Sequence, residues 1–341
     1  MSAKTRKYVQ GLLWSSSRRS PEADPRGGRP ALEHMEPRLL LSASVFVYTA
    51  DADFDQGALL NLNHDGPAGQ MQINAIAEPF PYVNVACTGR GTLVRIDSET
   101  GAIVGEYAAV PDDILLAKNR PMRTAVDLLG NVWVANIAEE TGGMGSVTRI
   151  ALVIGGIPGN KNEDGSFTPD PSGEYLQGPF EYNTAIDRDG DGLIRTSSGL
   201  GNVLAWTNAG GADTYGGVST AEDEAIINYT RTTAKQVGTL AIDASNDLWV
   251  GGMYDKIHEK ISGVTGQPVS GSQIYPIAGG YGGLVDGNGV LWSVDMPSGS
   301  DNVLRYDTNT GTVQTINLGH MSCGVGIDNH GYVWVSNHSE T

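Results

Sequence analysis

Cysteine is nearly absent. Cys87 and Cys323 are the only two in 341 residues, which excludes a small fold stapled by several disulfides. No run of about 18 apolar residues occurs, so no segment reads as a transmembrane helix. The best apolar run, Leu39–Ala50, is broken by Ser and Thr and begins too deep in the chain for a signal peptide. Bases are scarce as well: 22 Lys and Arg face 39 Asp and Glu, a net charge of −17. They are also unevenly placed. Residues 1–44 hold eight bases and four acids, which leaves 14 bases against 35 acids for the remainder. Such an acidic body repels phosphate backbones, so nucleic acid is excluded as a partner and cations or cationic surfaces are favoured. GxSxG, HExxH, Walker and CxxC patterns are all missing, and hydrolase, zinc-protease, nucleotide-binding and redox readings lose their support with them.

Glycine, by contrast, is abundant at 46 residues, and with 16 prolines it is spread along the chain as turns of an all-β protein require. One stretch organises the rest. Thr124–Asn136 reads TAVDLLGNVWVAN, and altered copies follow at Thr184–Ser197, Thr239–Gly252, Gly282–Asp295 and Gly324–Asn337. Each copy has a short apolar run, an Asp (Asp127, Asp187, Asp243, Asp286, Asp328), a Gly/Asn/Asp turn, and a second apolar run that usually carries Trp. The unit predicts a β-hairpin. A second hairpin follows it, turned by Asp97–Gly101 early in the chain and by Asp307–Gly311 late.

Four strands per unit at about 40–50 residues is the arithmetic of a β-propeller blade. Six units are expected, at about 80–115, 120–178, 182–236, 238–278, 280–318 and 322–341. Seven would follow if sequence is missing. Gly155–Gly178 and Thr207–Ala234 lengthen two units and read as loops, where binding sites are commonly built. The last unit stops after two strands. Either strands within 45–76 (Val45–Thr49, Ala58–Asn63, Gln70–Ile76) close the ring, or the chain is a fragment. A closed ring would bring Cys87 and Cys323 near each other, as a disulfide or as two small buried thiols.

Residues 1–30 are basic, rich in Ser, Pro, Gly and Arg, and have no hydrophobic period, so disorder is expected there. Next, Ala31–Ser44 reads ALEHMEPRLLLSAS and resembles the LEPR-XLL region that begins large surface proteins of planctomycetes and related bacteria, with Met35 where that region has Leu. The resemblance implies export. The domain division is therefore 1–44 as a basic leader and 45–341 as the propeller. Over roughly 80–341 the repeat resembles NHL-type propellers and the virginiamycin B lyase-like group. Val126-Asp127, Gly130–Asn136, Gly145–Ile150, Gly324–Asp328 and Gly331–Val335 carry that likeness.

The sharpest local signal is Asp187-Arg188-Asp189-Gly190-Asp191-Gly192-Leu193. Acids at positions 1, 3 and 5 with Gly at 6 fit the first part of an EF-hand-type loop, and the Leu193 carbonyl would serve at position 7. Crowded carboxylates repel unless a hard cation sits between them. Position 12 is Ser198 rather than Glu, so a calcium site here needs a carboxylate or waters from elsewhere. The competing reading makes Asp187 a hairpin brace like its four counterparts. Asn160, Asn162 and Asp164 form a fainter echo, and Asp51, Asp53 and Asp55 a fainter one still. Trp133, Trp249, Trp292 and Trp334 read as core between blades, whereas Trp206 lies beside an insertion and is a ligand-platform candidate. The lyase resemblance implies a His base, an acid and a metal. His320, His258 and Glu259 are the candidates, without an alignment to the lyase residues, while His330 lies in a turn. Two functions result. One is a non-enzymatic binding module of a larger exported surface protein, monomeric, braced by calcium and meeting a protein or carbohydrate. The other is a metal-dependent lyase acting on a cyclic ester or polysaccharide.

Overall fold

The computed structural model describes residues 62–63, 72–73, 80–112, 121–137, 143–207, 218–295, 300–328 and 330–337. The LEPR-XLL-like stretch, Val45–Thr49, the acids Asp51–Asp55 and the turn residue Asn329 lie outside them. The chain divides into residues 1–78 and residues 79–341. In the first unit, β1 (Leu62–Asn63) pairs antiparallel with β2 (Gln72–Ile73).

The second unit is all-β, with no helix among its described residues. β3 (Tyr82–Cys87), β4 (Thr92–Asp97) and β5 (Ile103–Ala108) form one antiparallel meander. β6 (Pro121–Val126), β7 (Val132–Asn136) and β8 (Met144–Ile150) begin the next sheet. The chain then leaves that sheet to build another from β9 (Val153–Lys161), β10 (Phe167–Pro169), β11 (Tyr175–Asn183) and β12 (Leu193–Arg195), ordered β10-β9-β11-β12. It returns as β13 (Ile226–Lys235), which pairs with β8 and completes β13-β8-β7-β6. β14 (Val237–Ile242), β15 (Leu248–Gly252) and β16 (His258–Ile261) follow. β17 (Gly282–Val285), β18 (Val290–Val294), β19 (Asn302–Asp307) and β20 (Thr312–Asn317) make a complete four-stranded meander, and β21 (Val325–Ile327) pairs with β22 (Val333–Val335).

This corrects the expected order of units. The third copy of the repeat is not the hairpin of a blade. Thr184–Gly192 forms no strand, and the described residues of the segments read as loops include long strands that build an inserted sheet and an outer strand. Their Gly and Pro content concealed them, because glycine and proline are depleted in strands.

Successive sheets pack face to face through alternating side chains, as propeller blades do. On β7, Val132 and Val134 pack toward Leu93 and Tyr107 of the preceding sheet. Trp133 and Ala135 point the other way, into Val237, Leu240, Leu248, Val250 and Ile261 of the following one. Trp249 repeats that role against Leu291, Leu304 and Tyr306. The first strands of successive blades approach closely. A Cβ on Gly238 of β14 would stand 2.7 Å from the Gly280 carbonyl oxygen, and one on Gly283 of β17 would meet the Thr239 methyl at 2.8 Å. Only glycine permits that spacing. Both thiols are free and half-buried.

The hairpin aspartates share one device. Asp127, Asp243, Asp286 and Asp328 each accept through Oδ1 the backbone N–H groups two and four residues on. The other oxygen has alternative partners. On Asp127 it takes Arg149, and on Asp243 it takes Lys260 at 2.7 Å; the indole Nε1 of Trp133 and of Trp249 is then left unpaired. On Asp286 and Asp328 it takes the indole N–H of Trp292 and Trp334, at 3.1 and 3.0 Å. Arg149, Lys260 and Arg305 stand directly opposite these tryptophans on the third strand and lie over their rings.

Candidate functional site

The loop leading into β12 departs from the hairpin pattern. Asp187 accepts N–H groups three, four and five residues on: Gly190 at 2.7 Å and Asp191 at 3.2 Å on Oδ1, and Gly192 at 2.8 Å on Oδ2. Gly190 and Gly192 both have positive φ, of 73° and 82°, so the loop winds tightly around the Asp187 carboxylate. Asp189 accepts the Asp191 N–H at 3.3 Å, and Asp191 accepts the Leu193 N–H at 2.7 Å.

A fourth carboxylate comes from outside the loop. Glu224 lies just before β13, is buried, and accepts the N–H groups of Arg188 at 2.6 Å and Arg195 at 2.9 Å. Oxygens of Asp187, Asp189 and Glu224 all fall within 4.8 Å of one another. Calcium–oxygen bonds of about 2.3–2.6 Å would let one ion bridge that span. Arg188 anchors the loop from the other side, donating to the carbonyls of Ile226, Ala221 and Asp223. Burial raises the Glu224 pKa, backbone donors oppose this, and the charges of Asp187 and Asp189 add to it. Burial also lowers the pKa of Arg188.

Asp191 turns elsewhere. Lys161, at the end of β9, places its ammonium 2.5 Å from Asp191 and 3.3 Å from Asp189. Those hydrogen bonds push the Lys161 pKa up to about 12. On Asp189 burial works upward, but the Lys161 and Asp191 donors outweigh it and the pKa falls. Leu193 sits in β12 opposite Gln177. Of the four ligands expected from sequence, the structure thus gathers Asp187 and Asp189 with Glu224, an acid 30 or more residues away that no local spacing could have revealed.

The other candidates are separated. Asn160 donates to Asp170, Asn162 to Ser166 and Thr168, and Asp164 accepts from Ser166 in the β9–β10 turn. Trp206 is fully buried, edge-on to Tyr229 with ring centroids 5.0 Å apart. His258 and Glu259 are adjacent on β16 and project to opposite sides. His258 Nδ1 donates to the Lys256 carbonyl at 2.8 Å, and its Nε2 faces Ser293 Oγ at 3.1 Å. Glu259 accepts from the Thr233 N–H and hydroxyl and from Gln273. His320 Nδ1 lies 3.1 Å from the Met321 carbonyl. The hydrogen bonds of these three residues have no partner in common.

No protein-family model matches the chain, and no curated protein matches it in sequence. Among solved structures it is similar to virginiamycin B lyase from Staphylococcus aureus, at 14% identity over 77% of this chain and 76% of that one, with a TM-score of 0.36. It is also similar to regucalcin, a calcium-binding protein from Agrobacterium tumefaciens, at 13% identity over 75% of this chain and 66% of that one, with a TM-score of 0.35. A gluconolactonase from Xanthomonas campestris shows 13% identity over 75% of this chain and 65% of that one, with a TM-score of 0.35. These are likenesses of overall architecture at low identity.

Proposed function

We propose that this propeller is a binding module of an exported surface protein, and that calcium held by Asp187, Asp189 and Glu224 braces its inserted sheet. The observation that carries the reading is the convergence of a buried glutamate on two loop carboxylates. Glu224 introduces the outer strand of one blade, whereas Asp187 and Asp189 introduce β12 of the inserted sheet. A cation between them would tie the two together and relieve their mutual repulsion. The acidic body favours a partner with a basic surface, and the LEPR-XLL-like spelling of Ala31–Ser44 supports export.

Thermal unfolding of the full chain in excess calcium and in EDTA tests the reading. A ligand bound only by the folded state adds about 2.7 kcal/mol at a hundredfold excess over Kd. The calcium-dependent increment is expected in the native protein and should vanish in Glu224→Gln and Asp189→Asn. Glu224→Gln will also lower stability in EDTA, because Glu224 supports two backbone N–H groups, so the increment is the deciding quantity. An increment of zero in the native protein would sink the calcium reading. Lys161 competes for one of these carboxylates, Asp189. Lys161→Met should therefore tighten calcium binding by up to about fivefold, the weight of one exposed ion pair, in a calorimetric titration. Weaker binding would show that Lys161 supports the site.

A further inference from the structure

In a chain so rich in acids, the half-buried guanidinium of Arg123 has no carboxylate partner among the described residues. Arg123 lies on β6, and its guanidinium stacks over the Tyr281 ring with Cζ 4.6 Å from the centroid. No described residue gives it a hydrogen bond or an ion pair, and its Nε is buried without a partner. Among the described residues none hydrogen-bonds the Tyr281 hydroxyl. Asp295, just past β18, is paired through Oδ1 alone, which takes Lys256 at 2.5 Å and the Gly279 N–H at 3.0 Å, while its Oδ2 is buried without a hydrogen-bond partner among the described residues.

The position is specific. β14 lies beside both β6 and β17, so Arg123 reaches past the start of β14 to the residues that open β17. A Cβ on Gly282 would stand 3.6 Å from Arg123 Nη2 and 3.2 Å from the Cys323 carbonyl oxygen. The guanidinium therefore sits where the first strands of three successive blades begin. Its terminal nitrogens form a planar fork stacked on the Tyr281 ring.

We propose that Arg123 and Tyr281 form an oxyanion-binding site at this end of the inner strands, taking the carboxylate or phosphate group of a small ligand. The guanidinium fork matches two oxygens of such a group, and the phenol supplies a third donor. The site is distinct from the acidic loop and needs no metal.

The test is fluorine NMR of trifluoroacetate titrated with the full chain in EDTA at fixed ionic strength. The native protein should broaden the resonance. Arg123→Gln should weaken binding at least tenfold, and Arg123→Lys, which keeps the charge and loses the fork, should weaken it less. Displacement by acetate or by inorganic phosphate separates the two ligand chemistries. No broadening with the native protein, or equal broadening with Arg123→Gln, would overturn the site. If Arg123→Gln loses its near-ultraviolet dichroism, Tyr281→Leu decides the matter: it should weaken binding too, and unchanged broadening in that folded variant overturns the proposal.

Discussion

Arg149→Met is expected to lower the unfolding free energy by about 3–5 kcal/mol, because it strands a buried carboxylate. The Asp127 side chain is 0% exposed and that of Arg149 is 8% exposed. Asp127 holds the β6–β7 turn through the Leu129 and Asn131 N–H groups, and its second oxygen receives Arg149. Arg149 does more than neutralise charge. Its Nη1 donates to the Gly263 carbonyl of the following blade at 2.6 Å, and the guanidinium covers the Trp133 ring. Removing it leaves an anion, a carbonyl and an indole face without their partner, in a place that water cannot enter cheaply. Asp127→Asn combined with Arg149→Met should recover much of the loss, since the doubly neutral site keeps the turn acceptor and buries no charge. Urea unfolding of the native protein, both single variants and the double variant measures the coupling. A loss below about 1 kcal/mol for Arg149→Met would mean that the pair is solvated and does not hold the blades together.

The equivalent position in the last described sheet shows how context sets such costs. Asp328 makes the same turn and receives the Trp334 indole, but Trp334 is 66% exposed, whereas Trp133 is 0% exposed. One spelling therefore yields a core module in one blade and a surface hairpin in another. That difference marks the limit of what was legible in the sequence. The hairpins around Asp127, Asp243, Asp286 and Asp328 were legible because period-2 alternation and turn residues are local signals. The same spelling at Asp187 misled, because its short apolar run Thr184–Ile186 has no strand to pair with once β11 takes β12. The cations opposite the tryptophans were not legible at all. Arg149, Lys260 and Arg305 stand 16, 11 and 13 residues after their tryptophans, and only strand register shows them to be equivalent. Glu224 was hidden for a similar reason. Its approach to Asp187 depends on an inserted sheet that returns the chain to β8, and no local period encodes that return.

His258 supplies the second large effect, as acid sensitivity. Its imidazole is fully buried, and burial pushes the pKa down to about 4; the hydrogen bond to the Lys256 carbonyl works against that shift, the Lys256 charge adds to it, and Asp295 opposes it least. The hydrogen bonds fix the neutral form. A carbonyl can only accept, so Nδ1 carries the proton toward Lys256 and Nε2 accepts from Ser293, whose oxygen also receives the Gly280 N–H at 2.7 Å. A second proton would have to enter a fully buried site. The unfolded chain binds that proton near the ordinary histidine value of about 6.5. The folded state is thus penalised as pH falls from about 6.5 to about 4, the penalty is complete below that window, and above it the residue contributes no slope. A gap of about 2.5 units at 1.36 kcal/mol per unit amounts to about 3 kcal/mol. Asp223, fully buried with its pKa raised by burial, acts in the opposite direction at low pH, so the slope of the native protein alone does not isolate His258. The difference from His258→Gln does. That variant should be less stable at neutral pH through lost packing, and the gap between the two proteins should close by roughly 3 kcal/mol on acidification to pH 4. A gap that stays constant with pH would mean that His258 is hydrated and titrates normally, and the tight approach of Gly279 and Gly280 around it would then have to loosen in solution.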